Sequence, residues 1–273
     1  MDRTAPADET ATPTPTGAPV PDAPGLLDGV PRQRAGGRGP CGTGGPGVTE
    51  PTAVKSPWLR TPRPWRLLPT PTGTPFTFGY AIVLCLTSLI SAYADPALVH
   101  ALRQTFSTDV AHLVRTPELV LVGSALWLAG GVASPFAIGF VLVLTALERR
   151  IGGLRTAGVF LLGHVLATLA TEVPVGLAVL AGQLPGSSLH RLDYGVSFGV
   201  AAGTGALAGL LPPWLRVPLL AGFGGMLLQD LLAFTDPMTN WGHVIALAIG
   251  VATWPVVRRW QARGPGSPGP VRS

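Results

Sequence analysis

Leu192-Asp193-Tyr194-Gly195-Val196-Ser197-Phe198-Gly199 opens a run that continues without a charge to Leu211. As a helix, about twenty residues cross the roughly 30 Å of hydrocarbon in a bilayer. A second stretch answers it: Trp241-Gly242-His243-Val244-Ile245-Ala246-Leu247-Ala248-Ile249-Gly250. Each holds one conspicuous polar side chain, Ser197 or His243. A polar group placed in lipid is costly and calls for a functional explanation. Serine and histidine at similar depth on neighbouring helices are the minimal parts of an activated nucleophile.

The rest of the chain supports the membrane reading. Of 273 residues 47% are hydrophobic and 12% charged, about half the charge of a typical soluble domain. The apolar residues crowd between Phe76 and Trp260, so the fold class is an all-α polytopic membrane protein. Lys55 is the only lysine, and the net charge of +5 comes from arginines flanking apolar segments. No basic, aromatic-interleaved patch points to nucleic acid. Cys41 lies in a polar tail and Cys85 in the first apolar segment, so no disulfide is expected. No Cys/His spacing suits a metal, and no cofactor is expected. The N-terminus lacks a charged-then-apolar leader.

Residues 1–75 read as a disordered, Pro/Gly-rich cytoplasmic arm whose composition cannot bury a core. The end of this arm, Ser56 to Arg66, has the Trp and Arg content of a membrane approach or of a Pro-rich linker. Residues 76–260 form the membrane domain and 261–273 a disordered tail. Six spans are expected, at about 76–94, 135–147, 156–181, 192–211, 217–234 and 241–257. Residues 120–131 either join the second span or form a re-entrant segment before it. Pro117, Pro135, Pro174, Pro212-Pro213 and Pro237 fall near segment ends, where proline is tolerated.

Arginine placement sets orientation. With a cytoplasmic N-terminus, Lys55, Arg60, Arg63, Arg66, Arg149, Arg150, Arg155, Arg216, Arg258, Arg259 and Arg263 lie inside. Only Arg103, Arg115 and Arg191 lie outside. An even number of crossings, both termini cytoplasmic, in the plasma (inner) membrane, follows as the expectation. Ser197 then sits roughly 8 Å below the outer start of its helix and His243 roughly 3–5 Å below its own.

Glycines at Gly195, Gly199 and Gly203 leave a side-chain-free stripe that lets a helix approach closely. Gly242, Ala246 and Gly250 offer a matching stripe, and packing the two together would bring Ser197 near His243. Gly195-Val196-Ser197-Phe198-Gly199 also fits G-x-S-x-G, but a nucleophile elbow needs a strand and a soluble sheet, so that reading is rejected.

Over about 76–260 the chain resembles the rhomboid family of intramembrane serine proteases, most of all the divergent rhomboid-like proteins of high-GC bacteria. Gly195-Val196-Ser197 looks like the start of the rhomboid G-x-S-G motif. The stretch Gly242 to Gly250 is similar to the rhomboid helix-6 pattern. Leu147-Glu148-Arg149-Arg150-Ile151-Gly152 resembles the rhomboid turn between helices 2 and 3. The resemblance implies a six-helix bundle in which Ser197 is nucleophile and His243 general base, cleaving transmembrane protein substrates. Two departures open an alternative. Phe198 stands where the family has glycine, and residues 132–140 lack the family's H-x-x-x-N oxyanion pair, whose loss costs about 10²–10³ in rate per donor. A catalytically inactive relative, a pseudoprotease binding membrane helices, is the competing expectation.

Other polar groups remain. His164, Thr168 and Glu172 share one helix face and could form a proton or substrate stripe, as in a small-solute transporter. No internal repeat supports a transporter. The plainer expectation is that Thr168 bonds its own backbone and Glu172, just before Pro174, already lies near the outer interface. Asp193 and Asp230 could orient His243 or be interfacial carboxylates. His100, Asp109 and His112 have no metal spacing and suit an amphipathic surface helix.

Overall fold

The computed structural model describes residues 67–263, and every described element is helical. Most of the expected arm and tail, with Cys41, Lys55, Arg60, Arg63 and Arg66, lies outside the described residues. The first long helix, α1 (Pro75–Tyr93), is followed by three short ones: α2 (Pro96–Thr105), α3 (Val110–Arg115) and α4 (Pro117–Gly123). Asp95 caps α2 and Asp109 caps α3, each side chain accepting backbone N–H groups of the first turn, as such caps do. His100 lies on α2, while His112 pairs with Asp109 at 2.8 Å. The described residues contain no cluster suited to a metal.

The second span is α5 (Pro135–Gly139), a π-helical turn (Phe140–Leu144) and α6 (Thr145–Ile151), running without interruption. Residues 120–131 do not join it. They form the end of α4, a tight turn at Ser124–Leu126, and an irregular stretch in which Gly130 and Gly131 adopt positive φ. Gly152, at φ 87, then breaks the helix before α7 (Gly153–Leu180).

Three helices are long and apolar enough to cross a membrane alone: α1, α7 and α9 (Pro213–Ala233). The pair α10 (Pro237–Ala252) and α11 (Trp254–Ala262), bent by 44°, is long and apolar enough only when taken together. The remaining two segments, α5–α6 and α8 (Ser197–Gly209), are short. α8 has 13 residues, so it spans only about 20 Å. A short helix with irregular backbone at its end is tolerated at membrane depth when protein surrounds it. Every residue of α8 after Ser197 is buried.

Two expectations about helix ends change. The fourth helix begins at Ser197, not at Leu192. Gly195 at φ 137 cannot be helical, and its N–H donates to the Ser124 carbonyl at 3.0 Å. Pro174 lies inside α7 rather than at its end, whereas Pro117, Pro135, Pro213 and Pro237 occupy first helical positions.

Glycine decides how α8 meets its neighbours, though not as the stripe suggested. A Cβ on Gly205 would strike the Leu247 carbonyl of α10, and one on Gly250 would strike the Ala202 carbonyl of α8. Those two positions, with the buried Ala246, bring the α8 and α10 backbones together. Gly199 instead faces the Phe160 ring of α7, and Gly203 faces Leu144 and Val143. The stripe therefore splits among three partners.

Arginines close the far end of α8. Arg216 donates to the carbonyls of Ala208 and Leu211, and Arg258 to that of Gly209. Both guanidinium groups lie 5.1 Å from the Trp254 ring. Cations at orphan C-terminal carbonyls are favourable. Arg155, which donates to the Trp260 carbonyl, gathers at the same place.

Candidate functional site

Ser197 is the first residue of α8, delivered by the loop that turns at Gly195. It lines a small cavity of about 10 Å³ with Thr108, His164, Thr168, Asp193 and Tyr194, no larger than one water molecule. Two of these, His164 and Thr168, come from α7.

His243 lies in the second turn of α10, 5% exposed. Its imidazole is stacked on the Phe136 ring at 4.7 Å and meets the edge of Phe198 at 5.2 Å. Neither ring nitrogen has a hydrogen-bond partner. The expected Ser197–His243 hydrogen bond is therefore not formed. Gly242 explains the arrangement: a Cβ there would collide with the Phe198 ring, so the missing side chain makes room for that phenyl group. Neither Asp193 nor Asp230 holds His243. Asp193 lies 3.6 Å from Arg191, and the Asp230 carbonyl accepts from Asn240.

The hydroxyl–imidazole pair that does form joins Ser124 to His164 Nε2 at 3.1 Å. Both residues are buried. The Ser124 carbonyl also accepts from Gly195 and Trp127, so one residue fastens α7, the turn after α4, and the loop leading to Ser197. His164 Nδ1 and Thr168 Oγ1 are left without partners. The expectation that Thr168 bonds its own backbone fails. Thr171 does so instead, donating to the carbonyls of Ala167 and Thr168.

Glu172 is fully buried and receives Arg191 Nη2 at 2.5 Å. Arg191 also reaches Asp236, the α10 cap, at 3.1 Å and Thr239 at 3.0 Å. A single guanidinium therefore ties α7, the loop before α8 and the start of α10 together. In that loop, outside the spanning helices, burial raises the pKa of Asp193 above the ordinary carboxylate value, and Arg191 opposes the shift.

Glu148 has a structural assignment. Its carboxylate accepts from Phe76 N (3.0 Å), Thr77 N (2.7 Å) and Thr77 Oγ1 (2.7 Å), satisfying orphan donors in the first turn of α1. Beside it, Arg149 donates to the Leu68 carbonyl and Arg150 to that of Ala146.

Ser124 and the hub role of Arg191 escaped the sequence reading. Ser124 carried the same signal as Ser197, a hydroxyl inside an apolar run. Arg191 counted only as an outer charge, because its partners lie 19 and 45 residues away in sequence.

A family model described as rhomboid-like protein matches residues 72–263, nearly the whole described region. No curated protein and no solved structure gives a significant match.

Proposed function

This chain belongs to the rhomboid-like protein family, and from that premise we propose that it receives transmembrane helices without cleaving them. One observation carries the reading: His243 is held between Phe136 and Phe198, with both ring nitrogens unpartnered. A general base must come within about 2.6–3.2 Å of the proton it takes, with some looseness before substrate binds. Here the obstacle is a phenyl ring rather than looseness. Phe198 occupies the position where the protease motif has glycine.

The helix-receiving surface is an apolar groove of about 650 Å³ between α5–α6 and α9, with α8 at its base. Ile138 and Leu142 form one wall, Leu219 and Phe223 the other. Phe223 meets Phe136 edge to face at 6.3 Å, which closes the groove toward His243. α9 keeps only Leu227 buried, so its lipid-facing wall is the one with least to lose by moving aside. Small residues in the lining, Gly139, Ala146 and Thr204, suit close van der Waals packing of a further helix. Membership of the family and the apolar helices make the protein multi-pass. Both termini are assigned to the cytoplasmic side of the plasma membrane, on the arginine asymmetry.

The test is labelling of full-length protein in membranes with a serine-directed fluorophosphonate, alongside photocrosslinking from Leu142 and Leu219. Crosslinks to membrane helices without Ser197-dependent labelling are expected. Labelling abolished by Ser197→Ala, together with cleavage of a model transmembrane substrate, would overturn the proposal.

A second reading rests on the Ser124–His164 hydrogen bond, which has the contact an activated hydroxyl needs. Complete burial of Ser124 denies it a substrate in this conformation. Labelling that survives Ser197→Ala and is lost in Ser124→Ala would move the protein to this reading.

A further inference from the structure

We propose that the groove between α3 and the C-terminal half of α7 binds a phospholipid whose headgroup carries a primary ammonium, anchored by the Glu172 carboxylate. This site is separate from the helix-receiving groove and holds whether or not the protein cleaves anything.

The groove encloses about 720 Å³, with apolar walls that include Val110 and Leu113 from α3 and Leu169, Val173 and Leu177 from α7. Gly176 shapes it: a Cβ there would stand 3.1 Å from Val110. Glu172 belongs to the lining although its side chain is 1% exposed. One carboxylate oxygen takes Arg191, and the other, Oε2, has no partner. A buried acceptor left unpaired is destabilising, the more so when charged.

Local charge shows what is missing. Arg191 faces Glu172, Asp193 and Asp236, one cation against three carboxylates. Asp109 on α3 is already paired with His112. A further cation with N–H donors meets this demand, and Glu172 lines the groove. Arg115 and His190 also line the groove, and among the described residues Arg115 forms no ion pair. An ammonium on Glu172, a phosphate near Arg115 and His190, and acyl carbons against the valines and leucines account for each feature.

The volume falls within the roughly 300–1,000 Å³ of small-ligand sites.

Native mass spectrometry of the full-length protein, titrated with phosphatidylethanolamine or phosphatidylcholine of matched chains, tests the assignment. The quaternary ammonium of phosphatidylcholine has no N–H to donate. Phosphatidylethanolamine should bind about tenfold more tightly, as one charge-assisted hydrogen bond implies. Glu172→Gln should bring the two lipids level. Gly176→Leu, which fills the groove and leaves the carboxylate intact, should weaken both. Equal binding by the wild type, a preference that survives Glu172→Gln, or undiminished binding by Gly176→Leu would each overturn the site. If Glu172→Gln fails to fold, the wild-type comparison and Gly176→Leu still decide it.

Discussion

Helices α8 and α9 are neighbours in sequence and opposites in environment. α8 is short, glycine-rich and buried everywhere after Ser197, while α9 is long, apolar and buried only at Leu227. Both are hydrophobic, so hydrophobicity did not sort them. In a bilayer the lipid is as apolar as leucine, and helices associate through close packing and polar contacts. α8 has both. Its backbone touches α10 through Gly205 and Gly250, and its last carbonyls are bonded by Arg216 and Arg258. α9 has leucines, and leucines are equally content in lipid.

The contrast breaks most severely at Gly250. A side chain there meets the Ala202 backbone carbonyl, which no rotamer change can relieve. Gly250→Val should cost about 3 kcal/mol or more, at the upper end for overpacking, and thermal unfolding of the purified protein would read it. A change under 1 kcal/mol would mean that the α8–α10 seam does not organise the bundle.

Glu148 sharpens the comparison from another side. α1 is also mostly lipid-facing, with only Thr77 and Leu84 buried, yet it is tethered by the three hydrogen bonds that Glu148 accepts. Glu148→Ala should cost about 2–3 kcal/mol, since bonds to charged groups are worth more than neutral ones. Increased proteolysis near residue 75 should accompany the loss. Among the described residues no such polar clamp fixes α9 to α5–α6, which is why the helix-receiving groove is assigned there.

Within α9 itself two leucines provide an internal control. Leu227→Ala opens a cavity at a site 1% exposed, and Leu232→Ala trims a side chain 75% exposed. The first should cost about 2 kcal/mol, at the low end for such truncations, because lipid offers no aqueous transfer term to lose. The second should stay within about 0.5 kcal/mol. Equal effects would show that α9 packs more tightly than its surface indicates.

The sequence made the outline of this contrast readable and left its detail hidden. Long apolar runs and the prolines at 117, 135, 213 and 237 marked most boundaries, because proline at a first helical position has a local cause. The start of α8 was missed by five residues. Apolarity cannot separate helix from buried loop, and Gly195 reads the same in either. Likewise a glycine stripe announces close packing without naming the partner, so Gly199 and Gly203 were assigned to α10 although they face Phe160 and Leu144. Proximity of Ser197 to His243 was the weakest inference. It followed from depth, from the paired small-residue stripes and from the resemblance, and none of these fixes azimuth: Ser197 lines a small cavity with His164, whereas His243 lies between two phenyl rings.

The smallest expected effect lies at the loop that hands the chain to α8. Burial raises the pKa of Asp193 in the folded state, partly offset by Arg191. A carboxyl with a raised folded pKa binds its proton more tightly when folded than when unfolded. Its contribution to stability is therefore complete below the unfolded value of about 3.9 and is lost as pH rises through the folded value. Asp193→Asn should flatten this component of the pH dependence, so that the melting temperature of the variant gains less than that of the wild type on acidification from pH 7 toward 5. If the two curves stay parallel, Arg191 fully compensates the burial of Asp193. The loop would then be as electrostatically settled as the α8 it precedes.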